Sequence, residues 1–175
     1  MAEAAQQSIE QTDISNTEDD INEFLTFMLA GEEYGVDILR VLEIKGWDDV
    51  TSLPNMPEYI RGVINLRGTI VPIIDLRRRF ELDVLEYGPT TVVIVLRVQS
   101  EGHADRTMGI VVDGVSDVYQ VKADNVKKSP DFGTAVDTEF VRGMATVEEK
   151  MVVILDIDHM LNSNELSTVD SLSDD

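Results

Sequence analysis

The stretch 59–80, YIRGVINLRGTIVPIIDLRRRF, most constrains what this chain can fold into. Two apolar, β-branched runs, 63–64 and 70–74, flank Asn65, Leu66, Arg67 and Gly68. Asn and Gly tolerate the left-handed conformations that link antiparallel strands, so the stretch predicts a hairpin. Pro72 lacks an N–H, which predicts an edge strand or a position turned away from its neighbour. Asp75 ends the second run and can cap a short helix over 76–80. Arg67 is the odd residue, a permanent cation with a planar fork of donors placed at a turn. A loop residue displayed by a rigid hairpin is a better functional candidate than anything in the strands.

A weaker copy, FVRGMATVEEKMVVILDIDHML, follows at 140–161, displaced by 81 residues. Arg61 and Gly62 fall on Arg142 and Gly143, Ile73 on Ile154, and Asp75 on Asp156. Upstream, Gly35, Val36, Val41, Glu43 and Ile44 match Gly109, Ile110, Val115, Asp117 and Val118. Two similar β units are expected, with shared pieces serving the fold in both. Glu148 stands where the first copy has Arg67. Arg67 is therefore special to one half.

Between and around these copies the chain reads as short strands. Strands are expected at 24–29, 34–38, 90–98, 108–112 and 115–121. The segment 37–44 alternates imperfectly and leaves room for a brief helical turn. Pro57 is expected to open a short helix running to Arg61, and a C-terminal helix to start near Asp156, with Ile157, Met160 and Leu161 on one face. Many short strands with only short helices predict an all-β fold of small barrels.

The formal charge is −20, from 34 acids against 14 bases. Residues 1–23 hold seven acids and 156–175 hold six, with no Lys or Arg in either; 24–155 carries 21 acids against all 14 bases. Most of the imbalance sits in the ends, which predicts solvated, disordered acidic tails over 1–22 and 167–175. Such a chain lacks the basic footprint of a nucleic-acid binder. There is no cysteine, so disulfides, thiolate metal sites and Cys nucleophiles are excluded. No run approaches the roughly 18 apolar residues needed to span a bilayer, and the acidic start is unlike a signal peptide. A cytoplasmic protein with no membrane insertion is expected.

Catalytic motifs are not found. His103 falls in a polar loop tip and His159 on the terminal helix, neither near a nucleophile motif such as G-x-S-x-G. There is no P-loop, G-x-G-x-x-G or H-E-x-x-H, so no catalytic, cofactor or metal residue is assigned and no cofactor is expected. Arg77, Arg78 and Arg79 read as a solvated helix end favoured by the macrodipole rather than a docking site. Trp47 and Tyr59 read as core or rim aromatics. Glu43 is either an exposed strand residue or the partner that a half-buried Arg67 requires.

The blocks EFLTFMLAGEEYGVDILRVLEI at 23–44, YIRGVINLRGTIVPIIDLR at 59–77, TTVVIVL at 90–96 and GIVVDGVSDV at 109–118 resemble the CheW-like chemotaxis coupling family. The resemblance implies two small SH3-like five-stranded β-barrels packed together within 23–166. Their approximate extents would be 34–86, and 23–33 with 87–162. It implies a non-catalytic adaptor with two partners, the regulatory domain of the CheA histidine kinase and the cytoplasmic tip of methyl-accepting chemoreceptors. Val41, Glu43, Gly62 and Arg67 match the family positions tied to receptor coupling and kinase control. A small-molecule-binding or hydrolytic β-barrel is the other reading, and it would need a pocket with convergent polar groups.

Overall fold

A computed structural model describes residues 20–100, 102–128 and 138–162. Among these, ten strands make two five-stranded sheets. The strands are β1 (Ile21–Leu29), β2 (Glu32–Asp37), β3 (Val41–Gly46), β4 (Ile60–Leu66), β5 (Thr69–Asp75), β6 (Val92–Ser100), β7 (His103–Val112), β8 (Gly114–Lys122), β9 (Val141–Val147) and β10 (Lys150–Leu155). Single-turn helices α1 (Leu76–Arg79) and α2 (Ile157–Leu161) follow β5 and β10. The first sheet has the order β8-β1-β2-β10-β9 and the second β3-β6-β7-β5-β4. The all-β expectation with a short C-terminal helix agrees with this architecture.

The two sheets are the same object built twice. Ile60 faces Ile74 and Gly62 faces Ile73 across a bulge at Arg61; 81 residues on, Val141 faces Leu155 and Gly143 faces Ile154 across a bulge at Arg142. β5 runs parallel to β7 with Ile73 beside Gly109, and β10 runs parallel to β2 with Ile154 beside Gly35. Both glycines are needed for close approach. A Cβ on Gly109 would lie 2.7 Å from Ile73 Cδ1, and one on Gly35 3.0 Å from Ile154 Cδ1.

Each sheet borrows its β1β2 or β6β7 hairpin from the other half of the chain. The expected division, 34–86 against 23–33 with 87–162, does not follow this exchange: β2 stays with β1 in the first sheet, and β6 and β7 join the second. Hydrophobic patterning is local, so it identifies the strands without specifying which half completes which sheet.

Each sheet curls over a small core of its own. Phe24, Val121, Ala145, Val152 and Ile154 fill the first; Val71, Ile73, Val93, Val95 and Val111 fill the second. No ladder joins β8 to β9 or β3 to β4 among the described residues. A larger core lies between the sheets, where Phe27, Tyr34 and Leu155 meet Ile74, Ile94, Leu96 and Ile110, with Leu76, Phe80, Met160 and Leu161 from the helical ends.

Several local expectations are corrected. The helix over 57–61 is absent: Glu58 and Tyr59 form a turn closed by the Ile60 N–H on the Pro57 carbonyl, and Ile60 already begins β4, because its pairing with Ile74 keeps the chain extended. For Pro72 the second of the two expectations holds: β5 is an inner strand, and the ladder to β7 starts one residue later, at Ile73, so the missing N–H is not called on there. Ile21 and Asn22 pair with Lys122 and Val121, so β1 starts inside the expected tail. The remainder of that tail, 1–19, and the tail over 167–175 lie outside the described residues.

Candidate functional site

The β4–β5 turn is a two-residue connection with Arg67 at φ 53° and Gly68 at φ 88°. Positive φ at both central positions matches the twist of the flanking strands, the reason such turns suit tight hairpins. Asn65 supports it, its Oδ1 accepting the Gly68 N–H at 2.8 Å. Holding an arginine in the left-handed region costs on the order of 1 kcal/mol. That strain does not mark function by itself, since Ala30, Glu148 and Glu149 also have positive φ in the β1–β2 and β9–β10 turns.

Arg67 Nη1 donates to Glu43 Oε2 at 3.2 Å. Glu43 lies on β3, in register with Val95 of β6, whereas Arg67 follows β4 at the opposite edge of the same sheet. Curling brings the two edges close enough for the pair to form. The arginine side chain is 78% exposed and the glutamate 27%. This is a solvent-facing ion pair, worth about 0–1 kcal/mol to the fold.

The two other family-matched residues are framework. Val41 opens β3, faces Leu96 and packs against the core between the sheets. Gly62 has φ 144°, and a Cβ there would lie 2.2 Å from the Thr51 carbonyl oxygen. Thr51 and Val63 exchange backbone hydrogen bonds of 2.9 Å, so any side chain at 62 would separate β4 from the loop that covers it. Four matched positions thus resolve into one joined charge pair and two residues that shape the sheet beneath it.

The sequence reading missed the apolar surface on this strand. Leu42 and Ile44, which alternate with Glu43 on β3, are 50% and 44% exposed, and Leu39 in the preceding 3-10 turn (Ile38–Arg40) is 75% exposed. Read along 37–44, the imperfect alternation assigns these side chains to neither face. The alternation Val41, Glu43 against Leu42, Ile44 was the available signal, since an edge strand shows its second face to solvent.

The arginine cluster is also different from expectation. Arg77 forms a two-point pair with Asp113, Nε to Oδ1 at 2.8 Å and Nη2 to Oδ2 at 2.6 Å, and is largely buried. Burial opposes the Asp113 charge, but the bonds from Arg77 and the Ala30 N–H outweigh it and hold the carboxyl below its usual range. Arg78 reaches Asp75, itself buried, which caps α1 and accepts the Tyr87 hydroxyl at 2.5 Å. Arg79 lies between the rings of Tyr59 and Phe140, 4.9 and 4.8 Å from their centres. All three are claimed: Arg78 by the capping Asp75 three residues back, and Arg77 and Arg79 by an acid and rings distant in the chain, which a linear reading does not show.

The acids in the concave surface beside α2 have structural partners. Asp156 caps α2 by accepting the His159 N–H, and Asp158 makes a two-point pair with Arg40 at 2.8 and 2.7 Å. They serve the fold rather than forming a poised acid–base couple.

Known proteins place this geometry in a family. The family model described as CheW-like domain matches residues 23–165. The chain is 46% identical over 151 residues to the chemotaxis protein CheW of Klebsiella aerogenes, covering 86% of this chain and 88% of that one. It is 34% identical over 143 residues to the CheW of Rhizobium meliloti, covering 82% and 89%. Among solved structures it is similar to the crystal structure of scaffolding protein TtCheW from Thermoanaerobacter tengcongensis, with a TM-score of 0.74, 32% identity, and coverage of 82% of this chain and 94% of that one. The chain belongs to the CheW-like family, whose members are scaffold proteins of chemotaxis rather than enzymes.

Proposed function

We propose that this protein is a cytoplasmic, non-catalytic adaptor. It couples methyl-accepting chemoreceptors to the CheA histidine kinase, and is recruited through them to membrane receptor arrays. One observation carries the reading: an exposed Arg67 is held by Glu43 of β3, an edge strand whose other face leaves Leu42 and Ile44 open to solvent, with Leu39 exposed in the turn before it. An edge strand that offers exposed apolar side chains and an oriented charge suits protein recognition, the apolar area giving affinity and the charge fixing register. Arg67 and Glu43 face the receptor in this reading, Val41 and Gly62 hold the strands that display them, and the kinase regulatory domain takes a separate surface.

The test is co-purification of a histidine kinase and a chemoreceptor with the tagged protein from native cytoplasm, with the charge-exchanged variant Glu43→Arg/Arg67→Glu alongside. Both partners should be captured by wild type, and the variant should keep the kinase while losing the receptor. Capture of neither partner by wild type contradicts the adaptor reading. Equal receptor capture by the variant contradicts the site.

A further inference from the structure

The exchange of hairpins between the two halves poses a folding problem. Each half, β1 to β5 and β6 to β10, contains every strand type that one sheet needs. Nothing in the apolar pattern forbids a half from completing a sheet with its own hairpin, β2 beside β5 and β7 beside β10. The observed sheets instead pair β5 with β7 and β10 with β2. Something must discriminate between these arrangements.

Two ion pairs lie where the choice is made. Because β5 and β7 run parallel, α1 after β5 sits beside the connection after β7, and Arg77 of α1 meets Asp113, the residue just before β8. Because β10 and β2 run parallel, α2 sits beside the connection after β2, and Asp158 of α2 meets Arg40, the residue just before β3. Arg77 and Asp158 are 81 residues apart, each two residues beyond a capping aspartate. The surroundings match as well. The Ala30 N–H donates to Asp113 Oδ2 at 2.9 Å, and the Gln99 N–H donates to Asp158 Oδ1 at 2.8 Å. The Asp113 N–H donates to the Met28 carbonyl, and Arg40 Nη1 to the Arg97 carbonyl. The two latches are equivalent in place, and their polarities are opposite.

We propose that this reversed polarity selects the exchanged topology, by making the observed latches attractive and those of the unexchanged alternative repulsive. If β2 lay beside β5, Arg77 would face Arg40. If β7 lay beside β10, Asp158 would face Asp113. Each alternative sets like charges together at a half-buried site, where water screens them poorly. Had both latches the same polarity, both topologies would be satisfied equally.

The test uses the absence of cysteine in this chain. Glu32→Cys/Met151→Cys places thiols one rung from the Val152–Glu33 pair and reports the native neighbours β2 and β10. Glu32→Cys/Ile70→Cys reports the unexchanged neighbours, since Ile70 is the counterpart of Met151 in the first half. Each reporter is refolded from urea under mild oxidation, and the monomeric cross-linked band is measured. Wild-type latches should give the native cross-link alone.

In Arg77→Asp/Asp113→Arg the native latch stays attractive, with the polarity that Asp158 and Arg40 already show, but discrimination is gone. The unexchanged cross-link should rise at least about tenfold, the consequence of losing about 1.4 kcal/mol of selection. Adding Arg40→Asp/Asp158→Arg restores opposite polarities and should return the native result. Three outcomes overturn the proposal: no rise in the two-residue variant, a two-residue variant that forms neither cross-link, or a four-residue variant that mispairs as much as the two-residue one.

Discussion

The hairpins β4–β5 and β9–β10 have the same register, the same bulge and the same length of turn, yet their tips are charged oppositely. In the first, Arg67 reaches across to Glu43 on the far edge strand. In the second, Glu148 takes the place of Arg67 and Asp117 that of Glu43, so two acids occupy the same relation. Both act on Tyr119, whose hydroxyl is pushed up by desolvation and by the charges of Glu148, Glu33 and Asp117. What the halves share therefore belongs to the fold: the bulges, the capping aspartates and the parallel pairs beside Gly35 and Gly109. What differs, the charge at the tip, is where function is to be sought.

The shared features can be broken in parallel. Gly62→Val should have the largest effect, since both the φ of 144° and the 2.2 Å approach to Thr51 oppose a side chain. A loss above about 3 kcal/mol is expected from strain and overlap together. At Gly143 a Cβ would meet Val126 Cγ1 at 2.7 Å and the Lys127 oxygen at 2.8 Å, without a left-handed backbone, so Gly143→Val should cost less, about 2–3 kcal/mol. Gly68→Ala, at φ 88° with nothing nearby, should cost about 1 kcal/mol. Urea titration of the three gives the order; equal losses at 62 and 68 would show that the packing against Thr51 carries no weight.

The latch at Asp113 gives an intermediate effect with a defined pH dependence. Its carboxyl is held below the usual value in the fold, so its contribution is present above the unfolded value of about 3.9 and is lost as pH falls through the lower folded one. Asp113→Asn should therefore cost roughly 1–2 kcal/mol at pH 7, with screening by water limiting the figure. The gap from wild type should narrow below about pH 4. A gap that persists unchanged at pH 2 would mean that charge is not the source.

Much of the shared architecture was legible because it depends on short-range chemistry. Asn65 and Gly68 specify their turn, Asp75 and Asp156 their caps, and the 81-residue displacement the repeat. The Arg67–Glu43 pair was one of two open readings for Glu43, decided only by the curl that brings opposite edges together. The exchange of hairpins was not legible, since both halves contain equally good strands. Nor was the burial of Arg77, because its partner is 36 residues away in sequence.

The contrast between the two tips is tested most directly by comparing Arg67→Ala with Glu148→Ala in a reconstituted mixture of receptor, kinase and this protein. Both variants should melt within about 1 kcal/mol of wild type, as expected for exposed turn charges. Arg67→Ala should uncouple kinase activity from the receptor by more than about tenfold, a loss of 1.4 kcal/mol or more at the interface. Glu148→Ala should couple as wild type does. Full coupling by folded Arg67→Ala, or equal loss from both variants, would contradict the assignment of function to the first tip.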